Sequence, residues 1–208
     1  MKVAIFGGTG QTGRFVVEKA LAAGHEVKVL ARTPSKLALQ HENLHVLAGD
    51  VLDAQRVDEV ITGTDAVISI LAPPSNEPTY IISQGMENII DAMKRHGVQR
   101  IVASAGAGVR MPDDQPNVID KVVGVALNVF SRHVVEDMRR VVAKLQASGL
   151  DWTVVRAPKL TDKPAQGNLK VGYVGEIDPF LAREDMAAFM LEQVNESRWV
   201  GKAPALSN

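Results

Sequence analysis

Three glycines near the start of the chain stand three residues apart: Gly7, Gly10 and Gly13. They follow Lys2 to Phe6, a mostly apolar run that is typical of a strand buried in a parallel sheet. In such a turn the first glycine permits a sharp bend, the second lets the backbone approach a phosphate, and the third lets the next helix pack closely. A helix that begins near Gln11 would direct unpaired N–H groups and the positive end of its dipole towards the turn. The spacing therefore predicts a pyrophosphate-binding turn.

Two alternatives to this interpretation stay open. The same residues also fit Gly8-x-Gly10-x-x-Gly13, the tighter dinucleotide-binding spacing, and a glycine turn can also be purely structural. The context favours a ligand, because an amphipathic stretch follows the turn and Gly24 is placed to cap the end of its helix.

The residue after the second predicted strand bears on the type of dinucleotide. This strand runs from Glu26 to Ala31, and Arg32 follows it. NAD-binding domains carry an acidic residue about 20 positions after the glycines to bind the ribose 2′-hydroxyl, whereas an arginine accommodates a 2′-phosphate. Thr33, Ser35 and Lys36 could add hydroxyls and a second positive charge. Arg32 therefore predicts NADP, with a solvated loop arginine as the alternative.

Asp50 and Val51 close the third predicted strand, Val46 to Asp50. Because neighbouring strand ends border one crevice in this architecture, Asp50 is placed to bind an adenine amino group, with Val51 against the ring. The alternative role for Asp50 is to cap the helix predicted from Ala54 to Ile61, and the two roles are compatible.

His41-Glu-Asn-Leu-His45 matches the zinc-protease pattern H-E-x-x-H. That pattern binds a metal only on a helix, where residues four apart share a face. Asn43 favours a turn, and His45 leads into the third strand, so no metal site is predicted.

The rest of the chain alternates between strand and helix patterns. The other predicted strands are Ala66 to Leu71, Arg100 to Ser104, Trp152 to Arg156 and a possible one at Leu169 to Val174; the other predicted helices are about Thr79 to His96, Ser131 to Gly149 and about Arg183 to Asn195. Val118 to Phe130 is predicted as a short apolar helix or flap, either a substrate-side cover or ordinary packing.

This order predicts an α/β fold: a three-layer, Rossmann-like, doubly wound parallel sheet in a single domain over residues 1–208. Its ligand should lie at the carboxyl ends of the strands, with substrate-side elements around 105–130 and 157–182. The predicted cofactor-binding residues are Gly7, Thr9, Gly10, Gln11, Thr12, Gly13, Arg32, Lys36, Asp50, Val51, Leu71, Ala72, Pro73, Ser104, Ala157, Pro158 and Lys159.

Composition narrows the classes of partner and compartment. The 208 residues carry a formal net charge of −1 without a basic run, which argues against nucleic acid and anionic membranes as partners. There is no cysteine, so disulfides and thiolate catalysis are excluded. Met1 leads directly into the first strand, and no apolar run approaches the ~20 residues of a membrane span, so we expect a cytoplasmic protein.

Several motifs together resemble the atypical short-chain dehydrogenase/reductase group. They are Gly7-Gly-Thr-Gly-Gln-Thr-Gly13, Ala31-Arg32, Gly49-Asp50-Val51, Gly85-Met-Glu-Asn-Ile-Ile90 and Ser148-Gly-Leu-Asp-Trp-Thr-Val-Val-Arg-Ala-Pro158. Within the group, the chain is most similar to the NADP-dependent flavin reductase/biliverdin-IXβ reductase type and its bacterial NAD(P)H-binding relatives. The resemblance spans nearly the whole chain and implies NADP as the cofactor.

The chain departs from the group at its usual acid/base pair, Tyr-x-x-x-Lys. Tyr80 is followed four positions later by Gln84, and Tyr173 by Ile177. Ser104 and His133 are the candidate catalytic residues, and Lys159 is a third source of polar help. A buried hydroxyl, a His133 pair with Asp137 along one helix, and a solvated loop lysine are the respective alternatives.

The missing pair favours a reaction that needs no tyrosine. Hydride transfer to a flavin or quinone requires stacking and orientation, while water can supply the proton. The first hypothesis is an NADPH-dependent reductase of a flat conjugated acceptor, with Ala105 to Gly108 bordering that acceptor. The alternative is a non-catalytic NADP-binding regulator of a partner protein, as in the nitrogen-regulation-type members. We expect a monomer or small homo-oligomer, and nucleotide-sugar epimerase or dehydratase chemistry is disfavoured.

Overall fold

The computed structural model describes all residues, 1–208. Its strands are β1 Lys2–Phe6, β2 Glu26–Ala31, β3 Leu44–Ala48, β4 Ala66–Ser69, β5 Arg100–Gly106, β6 Asp151–Ala157, β7 Lys159–Thr161, β8 Lys170–Gly172, β9 Phe180–Ala182 and β10 Ala205–Ser207. Its α-helices are α1 Gln11–Ala22, α2 Ala54–Ile61, α3 Ile81–His96, α4 Val118–Phe130, α5 Arg132–Ala147 and α6 Arg183–Glu192.

Eight strands form one sheet in the order β3-β2-β1-β4-β5-β6-β10-β8. The first seven in this order run parallel, and β8 pairs antiparallel with β10 at the edge. The order reverses between β1 and β4, which gives the doubly wound topology and a crevice at their carboxyl ends. The predicted Rossmann-like single α/β domain is thus confirmed.

Helices cover both faces of the sheet and make the two outer layers. On one face, α2, α3 and α5 pack into a core that includes Val60, Met86 and Leu145. On the other face, α1 and α6 pack into a second core that includes Val17 and Met190. The central strands β1 and β4 are buried on both faces from Val3 to Phe6 and from Ala66 to Ser69, which explains why their sequences are almost continuous apolar runs.

Most element bounds follow the sequence pattern, and the differences lie near the ends of the strands. The bounds of β1, β2 and α2 agree with prediction, whereas β4 ends at Ser69, two residues before the predicted Leu71. The last residues were not assigned to any element, but Ala205–Ser207 form β10 beside β6. The short strands β7 and β9 form a second, two-stranded parallel sheet that was also not predicted.

Helix α4 stands apart from both cores. None of its residues is buried, and Val118 and Phe130 are 75% and 79% exposed. It begins with a capping box, because the Asn117 side chain accepts from the Asp120 N–H and the Asp120 carboxylate accepts from the Asn117 N–H. The segment is therefore a helix, as one of the two predicted forms, and it contributes no buried residue to either core.

Candidate functional site

The glycine turn joins the end of β1 to the start of α1. Gly7 has a φ of +90°, and a Cβ there would lie 2.6 Å from the carbonyl oxygen of Ile70. A Cβ at Gly13 would collide with the carbonyl oxygen of Gly7. Gly8 is different, because a Cβ there would meet the side chain of Val29 at 3.0 Å. The sharp bend therefore requires glycine at position 7, and the close approach of helix α1 to the turn requires glycine at position 13.

The start of α1 fits a phosphate group. Gly10 is the N-cap and offers no side-chain hydrogen bond to the first turn, which also contains no acidic residue. The first N–H groups of the helix thus face the crevice without an intrahelical partner, at the positive end of the helix dipole. An anion is the complementary ligand for such an end.

A cleft runs along the carboxyl ends of the strands as two adjoining cavities on either side of this turn. The first, of about 260 Å³, is lined by Phe6, Gly7, Thr9, Gly10, Leu30, Ala31, Arg32, Gly49, Asp50, Val51, Ile70, Leu71, Ala72, Pro74, Ile81 and Ile82. The second, of about 340 Å³, is lined by Gly10, Gln11, Thr12, Gly13, Ile70, Leu71, Ala72, Pro73, Ser104, Ala105, Gly106, Val134, Met138, Ala157, Pro158, Leu160, Arg183 and Met186. The cleft thereby contains every predicted cofactor residue except Lys36 and Lys159.

Asp50 lines the first cavity and does not cap helix α2. Its Oδ1 accepts a hydrogen bond from the Leu52 N–H at 2.9 Å. The cap of α2 is Asp53, whose carboxylate accepts from the N–H groups of Gln55 and Arg56. The capping alternative for Asp50 is therefore wrong, because a residue three positions later already fills that role.

Val51 is held at the floor of the first cavity by helix α3. A Cβ at Gly85 would lie 2.5 Å from a methyl carbon of Val51, so only glycine allows this approach of helix to strand end. Asn88, one turn further along, donates its Nδ2 to the Val51 carbonyl at 2.9 Å. The helix was predicted from its sequence pattern, but its role in positioning Val51 was not.

Arg32 and Lys36 follow β2 in the chain, and Arg14 reaches the same segment from helix α1. Arg32 is exposed and lines the first cavity. Lys36 lies on a 3-10 turn, Pro34–Lys36, outside the cavity wall, and its carbonyl accepts a hydrogen bond from Arg14 Nη2 at 2.8 Å. Arg14 was missed by sequence reasoning, although it directly follows Gly13 in the first turn of α1. Its guanidinium adds positive charge at the backbone of the 3-10 turn that follows Arg32.

Of the two candidate catalytic residues, only Ser104 lines the cleft. It is half-buried on β5, at the wall of the second cavity. His133 lines neither cavity, and its Nδ1 lies 3.5 Å from the hydroxyl of Tyr80. The ring of Tyr80 is covered in turn by the guanidinium of Arg140, 3.7 Å from its centroid. The geometry therefore places His133 outside the reacting region.

The alternative role for His133, a pair with Asp137 along helix α5, is also wrong. Asp137 is buried, and its two carboxylate oxygens accept hydrogen bonds from the Ile82 and Ser83 N–H groups at 3.1 and 2.9 Å. It thus satisfies the start of α3, where Tyr80 takes the left-handed conformation with a φ of 51° and offers no cap of its own. No local pattern predicts this contact between residues more than 50 positions apart.

The structure separates Lys159 from the cleft. Lys159 begins β7 with an exposed side chain, and its ammonium lies 5.9 Å from the centroid of the Phe180 ring. Its neighbours Pro158 and Leu160 line the second cavity instead. Because alternate residues of a strand face opposite sides, a lysine between two lining residues points away. The prediction that Lys159 binds the cofactor does not fit this geometry, whereas a solvated loop lysine, the alternative, does.

The two histidines of the H-E-x-x-H pattern lie in different environments. His41 precedes β3, and its Nδ1 accepts from the Asn43 N–H at 3.1 Å. His45 lies on β3, with its Nε2 3.7 Å from a carboxylate oxygen of Glu26. No helix carries the pair, and the two side chains do not share a ligand position.

A buried ion pair, missed by the sequence analysis, lies behind the second cavity. Arg156 on β6 is 0% exposed and forms a two-pronged pair with Asp114, with both N···O distances 2.7 Å. Its remaining donors reach the carbonyls of Ala203 and Val109 at 2.8 and 2.9 Å. The guanidinium is therefore compensated in charge and in hydrogen bonds.

Asp114 joins the two predicted substrate-side segments. Besides Arg156, it accepts hydrogen bonds from the Met111 and Val174 N–H groups at 2.8 and 3.0 Å. The Gln115 N–H donates to the Val174 carbonyl at 2.9 Å. Burial by itself would raise the pKa of Asp114, but the hydrogen bonds from Arg156 and the backbone outweigh it, so this pKa lies below the ordinary 3.8.

The lowered pKa predicts a specific acid sensitivity. A carboxyl whose folded-state pKa is depressed stabilises the fold fully above its ordinary pKa and loses that contribution as pH falls through the folded value. We expect the difference in unfolding free energy between wild type and Asp114→Asn to be largest at pH 7 and to shrink below about pH 4. Urea unfolding at pH 7 and pH 3 measures it. A difference that is the same at both pH values would contradict the prediction.

Arg183 was not predicted for the site, yet it lines the second cavity at the start of α6. Its Nε donates to Asp162 at 2.8 Å, and its side chain is 18% exposed. Together with Ser104, Gln11 and Thr12 it provides the polar side chains of the second cavity. The signal available in the sequence was weak, because Arg183 reads as an ordinary first residue of a helix.

The sheet order and the glycine turn define the class of protein, a single α/β domain with a Rossmann-like dinucleotide-binding fold. The family described as NAD(P)H-binding matches residues 7–197, so this chain belongs to that family. It is an oxidoreductase family with reductases among the relatives of this chain.

Two curated relatives and one solved structure illustrate the similarity. The chain is 28% identical to an uncharacterized chloroplastic protein of Arabidopsis thaliana, over 92% of this chain and 72% of that protein. It is also 28% identical to a phenylcoumaran benzylic ether reductase of Populus trichocarpa, over 97% of this chain and 67% of that protein. A short-chain dehydrogenase/reductase of Veillonella parvula, solved in complex with NADP, shares the fold with a TM-score of 0.81 at 16% identity, over 100% of this chain and 94% of that chain.

Several curated relatives are much longer than the part of them that this chain matches. Three of the first that it matches are covered over only 33% of their own length.

None of the helices here has the length and apolar content needed to cross a bilayer.

Proposed function

We propose that this chain is an NADPH-dependent reductase that transfers hydride to a flat, conjugated acceptor of the flavin, biliverdin or quinone type. The observation that carries the proposal is the second cavity of the cleft. It adjoins the glycine turn, measures about 340 Å³, and is lined mainly by small and apolar residues. Neither Tyr80 nor Tyr173 lines either cavity of the cleft.

The preference for NADPH is supported by the cations at the end of β2. Arg32 borders the first cavity. Arg14 Nη2 donates a hydrogen bond to the backbone carbonyl of Lys36 at 2.8 Å, in the turn that follows Arg32. The residue after β2 is an arginine where NAD-specific domains have a carboxylate. A 2′-phosphate would therefore be attracted to this strand end.

The chain's own residues would hold and orient the two reactants. The turn from Gly7 to Gly13 would bind the pyrophosphate through backbone N–H groups, and Asp50 would bind the adenine amino group. Ala157 and Pro158 would border the nicotinamide, which supplies the hydride when the dinucleotide is bound.

The acceptor would stack in the remaining space. Ala105 and Gly106 leave room for a ring, and Met138 and Met186 provide polarizable apolar walls. Ser104 and Arg183 are placed to orient an oxygen or an anionic group of the acceptor. Such a site contributes to the rate by proximity and orientation, and a solvent proton completes the reduction.

Turnover is the direct test of this function. NADPH oxidation is followed at 340 nm with FMN, riboflavin, biliverdin and small quinones, with a matched control without protein. Turnover with any of them supports the reductase and identifies the acceptor class. Tight NADPH binding without turnover on the whole panel would overturn it.

A second candidate function, an NADP-binding regulator of a partner protein, is favoured by helix α4. Its Val118, Ile119, Val122, Val129 and Phe130 are each at least 63% exposed, and such a cluster of apolar side chains is typical of an interaction surface. A regulator should bind NADPH without oxidising it, so the same assay separates the two functions.

Replacing Arg32 with aspartate tests the cofactor preference. The change removes a cation and places a carboxylate where the 2′-phosphate would lie, so we expect NADPH affinity to fall by at least about tenfold. NADH affinity should stay equal or rise, because aspartate accepts from the ribose hydroxyls. Fluorescence titrations with both nucleotides measure the two dissociation constants.

The matched control for this variant is Arg198→Asp, which makes the same charge change at an exposed arginine outside the cleft. It should leave the ratio of NADPH to NADH affinity unchanged. Equal ratios in wild type and Arg32→Asp would show that the 2′-phosphate lies elsewhere.

A further inference from the structure

A third cavity, separate from the cleft, lies between helix α4 and the loop that precedes it. It has a volume of about 360 Å³ and shares no lining residue with either part of the cleft. Its lining residues are Arg110, Met111, Asp114, Pro116, Lys121, Gly124, Val125 and Asn128. We propose that this cavity binds a small organic acid, with its anionic group on Arg110 and its apolar body against Met111, Pro116 and Val125.

The guanidinium of Arg110 is the observation that points to an anion. Its Nη2 donates to the carbonyl of Asp120 at 2.6 Å, but its Nη1 is buried and has no hydrogen-bond partner. A charged group with an unpaired donor is costly to bury, and an anion on the Nε and Nη2 edge of the guanidinium, which faces the cavity-lining Gly124, would offset that cost. A carboxylate or phosphate oxygen matches both the charge and the planar fork of the guanidinium.

No carboxylate of the protein already neutralises Arg110. Asp114 lines the cavity, but its two oxygens are occupied by Arg156, Met111 and Val174. The Asp120 carboxylate accepts from the Asn117 N–H in the capping box at the start of α4. The remaining positive charge is therefore available to a bound anion.

A second cation and a glycine complete the site. Lys121 lines the same cavity and joins no ion pair. Gly124 faces Arg110 from helix α4, and a Cβ at this position would come within 3.3 Å of Arg110 Nη2. The absence of a side chain there keeps the space in front of the guanidinium open. The cavity thus combines two cations with apolar walls, the composition that an apolar molecule with one anionic group requires.

The test is calorimetric titration of the full-length protein with hexanoate, acetate and inorganic phosphate, in the presence of saturating NADPH. We expect saturable binding of hexanoate, with acetate weaker by about fourfold or more for each buried CH₂ that it lacks. Inorganic phosphate tests whether the anionic group alone suffices; binding tighter than acetate assigns the site to phosphates and not to carboxylates. Absence of saturable binding by all three would overturn the proposal.

Variants assign the binding to this cavity. Arg110→Gln should weaken hexanoate by at least about tenfold, since a charge-assisted hydrogen bond is lost. Arg198→Gln, with the same change outside the cavity, should bind as wild type does. Val125→Glu alters an exposed residue and supplies an internal carboxylate to Arg110, so it should abolish binding in a folded protein. Unchanged affinity in Arg110→Gln and Val125→Glu would overturn the assignment.

The outcome is independent of the function proposed for the cleft. Saturating NADPH occupies the glycine turn, so an acid that binds only in its absence would be held by the start of α1, and the third cavity would be rejected. If no acceptor supports NADPH oxidation but hexanoate still binds, the reductase function is rejected and the proposed acid-binding site stands.

Discussion

Replacing Asp114 with asparagine is expected to lower the free energy of unfolding at pH 7 by about 3–5 kcal/mol. The change leaves the guanidinium of Arg156, which is 0% exposed, without a compensating charge. It also weakens the acceptor for the Met111 and Val174 N–H groups. The loss should be measured by urea unfolding, followed by circular dichroism.

Asp178→Asn is the matched control for this prediction. Asp178 pairs with Lys170 at 2.6 Å, but both side chains are at least 51% exposed. An exposed pair contributes at most about 1 kcal/mol, so this variant should unfold close to wild type. Equal losses in the two variants would show that burial of the Arg156 pair does not govern its contribution.

The effect of Asp114→Asn should extend beyond stability. Asp114 connects the loop before α4 to the segment at Val174. Its partner Arg156 also donates a hydrogen bond to the carbonyl of Val109, which follows the small residues at the end of β5. Hydrogen exchange of residues 109–117 and 173–176 should therefore become faster than in Asp178→Asn. This carboxylate and the hydrogen bond from the Gln115 N–H to the Val174 carbonyl together join the two segments predicted to face a substrate.

Replacing Gly13 with alanine is expected to reduce NADPH affinity by at least about tenfold and to destabilise the fold by roughly 1–3 kcal/mol. Two effects oppose each other. Alanine favours a helix over glycine by about 1 kcal/mol, but its Cβ would collide with the backbone oxygen of Gly7. The collision outweighs propensity, because no side-chain rotation can relieve a contact between a Cβ and the backbone. Nucleotide titration measures the NADPH affinity, and urea unfolding measures the free energy of unfolding.

Gly24→Ala provides the control for this substitution. Gly24 has a φ of +77°, but a Cβ there would meet nothing within 4 Å. Alanine at this position should cost about 1 kcal/mol through the left-handed conformation and leave NADPH affinity unchanged. A Gly13→Ala protein that binds NADPH as tightly as Gly24→Ala would show that helix α1 can move away from the turn without loss of the site.

The local sequence pattern was sufficient to predict the elements whose structure depends only on their own residues. Val3 to Phe6 predicted a buried strand, and the glycine spacing predicted a sharp turn with a helix packed against it. The positive φ of Gly7 and the tight position of Gly13 are consequences of that spacing. Arg32 could be located at a strand end because β2 ends one residue earlier, at Ala31.

Contacts between distant residues could not be predicted in this way. His133 was expected to pair with Asp137, its neighbour one helical turn away, but the start of α3 takes both oxygens of that carboxylate. The position of the Arg14 guanidinium likewise depends on its hydrogen bond to the backbone carbonyl of Lys36, 22 positions along the chain. Lys159 and Leu160 are adjacent in sequence, and only the direction of β7 decides which of them lines the cleft.

The sequence by itself therefore determined the parallel α/β class, the glycine turn and the position of Arg32, because these depend on periodicity, on backbone sterics and on the order of elements. Only the tertiary structure decided the partners of Asp114, Asp137 and Arg110. Each of these side chains meets groups brought together by the packing of separate segments, and such contacts leave no periodic signal in the chain. The buried Arg156 is the clearest case, since in sequence it is one arginine at the end of an apolar strand.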